Sequence, residues 1–200
     1  ALASTAIQFA QIANISSPPA GVIDLHYPFY LFPTTTQTRF NEKLSNSASA
    51  RGRTAETGIA IQSKVNNNDI DFTVKVKSSK SNEYRFFAFV VEDKIIHNQS
   101  SFDETGNLIT IENYEHNNVA TYMLEGADPL TGVSLGNIQS GQEISNKYTI
   151  KTSNFNTKRE VNLNNCRIIA YTLRSIDGKY YIDNVTNCHV NGSVPYKYKN

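Results

Sequence analysis

The stretch that decides the fold is YRFFAFVV, at residues 84–91. Its apolar side chains occupy both alternating sets of positions, so a strand built from it must be covered on both faces. A strand of that kind lies in the middle of a sheet, and the stretch therefore predicts a central strand with neighbours on either side. The protein is expected to consist mainly of β-structure.

Further strands are indicated on both sides of this centre. Phe72 and Val74 alternate with polar residues after a turn at residues 66–68 (NNN), which is typical of a half-buried hairpin. A second hairpin is indicated by the turn SIDG at residues 175–178, which separates two apolar runs. Shorter runs at residues 118–125 and 147–151 add strands.

This number of short strands, joined by polar turns, favours one architecture. Over residues 58–200 we predict a mainly β fold, an antiparallel two-sheet β-sandwich of the Ig-like or jelly-roll-like kind. Residues 92–118 are rich in Asn and Ser, and they are predicted to be a long loop that carries function. The predicted buried positions include Phe72, Val74, Phe86, Ala88, Ile168 and Ala170.

The first fifty residues have another pattern and form a short α/β segment in this interpretation. Apolar residues recur at helical spacing over residues 2–13, and Pro18 and Pro19 then turn the chain. A short strand is expected at residues 22–30 and a second helix from Thr38. Residues 45–57 are small and polar, which indicates a linker to the sandwich.

Composition narrows the function classes. The chain has 200 residues and a formal net charge of +1, with Lys and Arg scattered rather than clustered. A nucleic-acid partner is therefore not expected, since such proteins usually carry a basic face. No apolar run reaches the roughly 18 residues of a spanning helix. The chain begins without Met, and we expect it to be a trimmed product from which an export signal or lipid-anchor Cys was removed.

Compared with the motifs of known catalytic and metal sites, the sequence offers little support for any of them. GVSLG at residues 132–136 matches the nucleophile-elbow motif of serine hydrolases, but no buried strand precedes it and no helix follows. The His residues are isolated, without the local spacing of metal ligands. DETGN at residues 103–107 could offer oxygen ligands to calcium, but a polar turn is the better interpretation. We predict no catalytic residues, no metal and no cofactor.

Two groups of residues are candidates for binding. Glu115, His116 and Asn117 include the one adjacent carboxylate–imidazole pair of the chain. Tyr180 and Tyr181 could stack on a sugar or pack on a partner, although tyrosines at such positions more often form cross-strand pairs.

Cys166 and Cys188 flank the predicted turn at Asp177. A two-residue turn places Cys166 opposite His189, whereas a three-residue loop or a bulge shifts the register and places the two thiols opposite each other. In an oxidising compartment we expect the second arrangement, with a Cys166–Cys188 disulfide.

Three blocks of sequence resemble a known family. They are VVED at residues 90–93 with the following IIxxQ, then YEHNNV at residues 114–119, and the closing runs IIAY at 168–171 and IDNV at 182–185. The family is the twenty-eight-kilodalton outer-membrane lipoproteins of Bacteroidetes. The resemblance implies an exported cell-envelope lipoprotein, periplasmic or anchored to the outer membrane by a lipid outside this chain, with a C-terminal β-sandwich. It offers no catalytic residues and suggests a binding or structural module for a protein or glycan, with a role in surface adhesion.

The same resemblance extends to the N-terminal segment. Residues 17–24 (SPPAGVID) resemble the region around the cis-proline of a thioredoxin-like fold, which implies that Pro19 is cis. The Cys-x-x-Cys motif of thioredoxin chemistry is missing, and Leu25 stands where the family usually has Arg. Residues 1–50 are thus interpreted as at most a remnant of a thioredoxin-like fold. The alternative to a binding module is a truncated or degenerate thioredoxin-like thiol-disulfide protein.

Overall fold

The computed structural model describes residues 20–30, 37–51, 54–155 and 159–197. Within them the chain forms two larger antiparallel sheets, two separate strand pairs and an α-helix. The elements in chain order are β1 (Ala20–Ile23), β2 (Tyr27–Tyr30), α1 (Gln37–Arg51), β3 (Thr57–Asn66), β4 (Asp69–Ser78), β5 (Asn82–Glu92), β6 (Ile95–Phe102), β7 (Leu108–His116), β8 (Val119–Met123), β9 (Val133–Ile138), β10 (Glu143–Ile150), β11 (Cys166–Ile176), β12 (Lys179–His189) and β13 (Ser193–Val194).

The larger sheets form the predicted mainly β fold. The first sheet has the strand order β10–β4–β3–β13, and the second has β12–β11–β5–β8, with β9 also paired to β5. Buried side chains from both sheets belong to one hydrophobic core. The arrangement is consistent with the predicted β-sandwich.

Strand β5 is the predicted central strand. It pairs with β11 on one side and with β8 and β9 on the other. On its inner face Phe86 stacks against Tyr148 of the first sheet, with 5.3 Å between ring centroids. On its outer face Phe87 packs against Tyr171, whose hydroxyl donates to the Pro129 carbonyl. Both faces are thus covered, which explains the continuous apolar run.

The six positions predicted to be buried are all in the core. Phe72 and Val74 of β4 are at most 3% exposed, and the other four are fully buried. The predicted hairpin β3–β4 is also confirmed, with its turn at Asn67 and Asn68.

A buried polar cluster joins the two sheets where β3 begins. A register shift in β11–β12 makes Asp183 an extra residue on β12, and its carboxylate accepts hydrogen bonds from the backbone N–H groups of Glu56 and Thr57 and from the Thr57 hydroxyl. Arg174 pairs with both Asp183 and Glu56. Because the bulge re-aims Asp183 into the interior, an ionised side chain becomes part of the packing between sheets.

Two predictions about local structure are wrong. Residues 45–51 are not linker but the last turns of α1. Residues 92–118 are not a loop, since β6 and β7 pair there as a hairpin. The predicted helix at residues 2–13 and the predicted cis Pro19 lie outside the described residues.

The predicted disulfide is contradicted, because Cys166 and Cys188 are both buried free thiols. The turn at Asp177 has two residues, and the bulge at Asp183 shifts the register so that Cys188 lies opposite Ile168. The cysteines are then diagonal neighbours on one face, and Cα atoms in such positions are roughly 7–8 Å apart. A disulfide needs about 4.4–6.8 Å, so the register leaves the thiols unbonded.

We expect neither thiol of the folded protein to react rapidly with a disulfide reagent at mildly alkaline pH. Burial raises the pKa of Cys166 to about 12 from 9.0, and burial also raises the pKa of Cys188, so both stay protonated and inert. The thiols ionise at lower pH in the unfolded chain than in the folded one. The free energy of unfolding should therefore fall as the pH rises above 9.0. Titration before and after denaturation, without reductant, should give no fast thiol and then two. If the denatured protein showed no free thiols, Cys166 and Cys188 would be joined by a disulfide after all.

Candidate functional site: a projecting hairpin

The hairpin formed by β6 and β7 stands apart from both sheets of the sandwich. We call residues 95–116 the arm. No residue of β6 or β7 is buried, and each strand pairs only with the other among the residues that the structure describes. The arm therefore belongs to neither sheet of the sandwich.

The arm also carries most of the exposed large hydrophobic side chains in the described part of the chain. Eight large hydrophobic side chains are exposed in the described part of the chain, and six of them lie in the arm. Phe102 and Leu108 flank its turn and are 64% and 69% exposed. Exposed apolar side chains are common singly, but a concentration of them marks an interaction surface. The six are Ile96, Phe102, Leu108, Ile109, Ile111 and Tyr114.

A network of hydrogen bonds fixes the root of the arm. The Arg167 guanidinium donates to both carboxylate oxygens of Asp93 and to the side-chain oxygen of Asn118, while Asp93 accepts from the Asn118 N–H. The Asn117 side chain accepts from the Lys94 N–H on the other strand. Lys94 and Asn118 have φ near 60°, a region that Asn visits more readily than most residues. Asn117, a candidate binding residue, thus has a structural role.

The arm has two chemically different faces, set by its register. A bulge at Glu112 and Asn113 opposes Asn98, and the Asn113 N–H donates to the Asn98 side chain. Directly opposed residues share a face. The carboxylate-free face carries Ile95, His97, Gln99, Ser101, Ile109, Ile111, Tyr114 and His116. The carboxylate face carries Ile96, Asn98, Ser100, Phe102, Leu108, Thr110, Glu112 and Glu115.

The carboxylate-free face runs down to a cavity of about 300 Å³ at the root. The cavity is lined by His97 and His116 of the arm, by Arg159, and by three residues of β8. Tyr114 contacts His116 edge to face, with 4.9 Å between ring centroids. Of the predicted candidates, His116 therefore lies at a cavity, whereas Glu115 projects from the opposite face and accepts from the Asn117 side chain.

The tip of the arm is a hydrogen-bonded turn. Asp103 accepts from the N–H groups of Thr105 and Asn107 and from the Thr105 hydroxyl. These bonds stabilise the carboxylate and lower its pKa to about 2, the Thr105 hydroxyl contributing most. No group of three or more His, Cys, Asp or Glu side chains suited to a metal is found in the described ranges. Asp103 thus closes a polar turn at residues 103–107.

The second pair of candidates, Tyr180 and Tyr181, is engaged within the chain. The His26 ring lies 4.3 Å from the Tyr181 ring, and its Nε2 is 2.7 Å from the Tyr180 carbonyl oxygen. The Arg85 guanidinium lies over the Tyr180 ring at 5.4 Å. Both tyrosines are only half-exposed, so they are poorly placed as an open platform for a sugar.

The hydrolase-like motif lies on a strand rather than at a strand–helix turn. Ser134 is the second residue of β9, and its hydroxyl accepts from the Gly136 N–H. Gly132 is held at φ 62° with the space for a Cβ blocked by the Phe86 carbonyl oxygen at 2.6 Å. Gly132 thus has a packing cause, whereas Gly136 has open space around it and a φ of 75°.

Arg167→Met should loosen the root of the arm while leaving the sandwich intact. The change removes charge-assisted hydrogen bonds to Asp93 and Asn118, and such bonds contribute about 1.5–3 kcal/mol. We expect amides of residues 93–98 and 113–118 to exchange about tenfold faster or more, measured by hydrogen–deuterium exchange. Lys179→Met, an exposed change on β12, is the matched control. Unchanged exchange at the root would show that the network does not hold the arm.

Three of the four acidic residues in the family-like blocks pair with an arginine. Asp93 binds Arg167, Glu92 is buried and binds Arg159 through both carboxylate oxygens, and Asp183 binds Arg174.

The family model described as outer membrane protein Omp28 matches residues 7–194. The chain belongs to the outer membrane protein Omp28 family and is a protein of the cell envelope. A comparison with curated proteins finds none that matches. No helix in the described ranges is long and apolar enough to cross a membrane.

Proposed function

We propose that this protein is a non-catalytic binding module of the cell envelope and that the arm is its contact surface. The observation that carries the proposal is the concentration of exposed apolar side chains on the arm. A two-stranded hairpin is at best marginally stable alone in water, so an arm that covers neither sheet has reason to be kept only if it contacts something else. In this proposal the protein is lipid-anchored, as the resemblance to lipoproteins implies, and acts in adhesion to a protein or glycan.

The state of the charged residues supports a non-catalytic role. Glu92 is 2% exposed and is neutralised by Arg159, and its carboxylate also accepts a hydrogen bond from the Asn162 N–H. Asp183 is 1% exposed and shared between Arg174 and backbone N–H groups. Both carboxylates thus have partners inside the fold, and removing either partner would leave a buried charge unpaired.

The alternative of a thiol-disulfide protein has less support. Redox chemistry needs an accessible thiol with a lowered pKa. Cys166 and Cys188 are buried, and burial raises the pKa of each. We therefore favour the binding module.

The test is binding by the purified chain to arrays of glycans and of matrix and bacterial surface proteins. The variant Phe102→Ser/Leu108→Ser removes the two most exposed apolar side chains of the arm. Val185→Thr is the control, because Val185 is 57% exposed on β12, away from the arm. We expect the double variant to lose about tenfold or more of the binding signal, as interface anchors do, and the control to lose none. Binding that survives the double variant would remove the arm from the proposal.

A further inference from the structure

The arm is acidic as well as apolar. Residues 95–116 contain four carboxylates and neither Lys nor Arg, while the other residues hold all 19 basic side chains and the remaining 14 acidic ones. Two of the four, Asp103 and Glu104, are at the tip, and the other two, Glu112 and Glu115, are on β7. Strand β6 has none. The negative charge along the strands therefore lies on the β7 side of the arm.

The outer edge of β7 is open. In the described part of the chain β7 pairs with β6 alone, so the backbone N–H and C=O groups along its other edge have no strand partner. Natural proteins usually protect such edges with Lys, Pro or a covering loop. Between residues 95 and 116 there is no Lys and no Pro. An edge without Lys or Pro, interrupted by the bulge at Glu112 and Asn113 and lying next to apolar side chains, is a template for an added strand.

The two faces of β7 specify the chemistry of that strand. Ile109, Ile111 and Tyr114 lie on the carboxylate-free face, and Glu112 and Glu115 lie on the carboxylate face. Cross-strand neighbours in a sheet are stabilised when apolar residues meet apolar ones and when opposite charges meet. A complementary strand therefore alternates apolar residues on one face with Lys or Arg on the other.

We infer that the open edge of β7 accepts an extended segment of a protein partner in which apolar and basic residues alternate. The inference rests on the proposed function and names its partner class. The exposed side chains are mostly aliphatic, whereas sugars stack on aromatic rings, so a protein fits better than a glycan. An anionic lipid surface would repel the carboxylates, and a second arm would place four carboxylates against four.

The test uses the whole chain, labelled with ¹⁵N, and three synthetic peptides of nine residues. The first alternates Val and Lys, the second replaces Lys by Glu, and the third is the first with N-methyl groups on two central Val residues, which block strand pairing. We expect the first peptide to shift the amide signals of β7, the second to shift none, and the third to bind about tenfold more weakly or worse. Added salt should weaken the first complex.

Charge variants separate edge recognition from general attraction. The double variant Glu112→Gln/Glu115→Gln should lower the affinity for the Val–Lys peptide about three- to tenfold, because it removes the two carboxylates beside the edge. Glu104→Gln changes charge at the tip, off the strand, and should change the affinity less than about twofold. Equal losses in both variants, or no preference for the Val–Lys peptide over the Val–Glu peptide, would overturn the inference.

The same protein samples also test the other possible partners of the arm, which are a second copy of the chain, a lipid surface and a glycan. Arm-dependent dimers in sedimentation, or arm-dependent binding to phosphatidylethanolamine–phosphatidylglycerol vesicles, would replace the peptide partner by a second copy or a lipid. Array binding to glycans that Phe102→Ser/Leu108→Ser abolishes would overturn this inference and leave the proposed function standing. Array binding that the double variant leaves intact would remove both.

Discussion

Phe86→Ala is expected to lower the free energy of unfolding by about 3–5 kcal/mol, the usual range for removing a fully buried Phe. Phe86 is 0% exposed at the centre of β5, and its ring stacks on Tyr148, which also stacks on Phe72. The truncation would leave a cavity between the two sheets and interrupt this row of three rings. Urea unfolding followed by fluorescence or circular dichroism measures the loss.

Phe102→Ala is the matched control for that experiment. The same side chain is removed, but Phe102 is 64% exposed on the arm, so the change should alter stability by less than about 0.5 kcal/mol. Similar losses in both variants would mean that the arm is packed in solution and would contradict its description as a projecting hairpin. The pair of variants therefore separates the residues that build the fold from those left for binding.

Asp183→Ala is expected to lower the free energy of unfolding by about 3–5 kcal/mol. The change leaves the Arg174 guanidinium buried with one carboxylate fewer and deprives two backbone N–H groups and the Thr57 hydroxyl of their acceptor. Asp183→Asn should cost less, since an amide oxygen can still accept. Urea unfolding again provides the measurement.

Asp177→Asn, in the turn of the same hairpin, is the control for Asp183. Asp177 has φ 51°, a conformation that Asn adopts readily, so the change should stay within about 0.5 kcal/mol. A loss below about 1 kcal/mol for Asp183→Ala would show that water or a rearranged Arg174 replaces the carboxylate. The cluster would then contribute little to joining the sheets.

The sequence predicts the core well because burial leaves a pattern. Residues 84–91 are apolar on both faces and become the central strand, and the alternation around Phe72 and Val74 becomes β4. The arm leaves no such pattern, because neither of its faces is buried and nothing constrains its residues to alternate. Its Asn and Ser content therefore indicates a loop, and the sequence gives no sign of the strand pairing found there.

Register is the other feature that the sequence could not supply. The turn at Asp177 was predicted, but a single extra residue, Asp183, changes which side chains meet along the rest of β11–β12. That one bulge moves Cys188 opposite Ile168, so that the cysteines are diagonal rather than direct partners, and it brings an acidic residue into the core. It depends on contacts with Arg174 on the neighbouring strand and with Thr57, which is 126 residues away in sequence. The family-like block IDNV contains Asp183, but sequence alone gives it no role.

The way the arm is attached has a consequence for how such proteins diverge. Glu92 and Val119 are direct partners across β5 and β8, so the 26 residues between them leave and return at neighbouring points of one sheet. Insertions, deletions or wholesale exchange of this segment leave every pairing of the sandwich in register. The sandwich can thus stay constant while the segment between Glu92 and Val119 varies. A foreign hairpin could be grafted at the junction formed by Asp93 and Asn118.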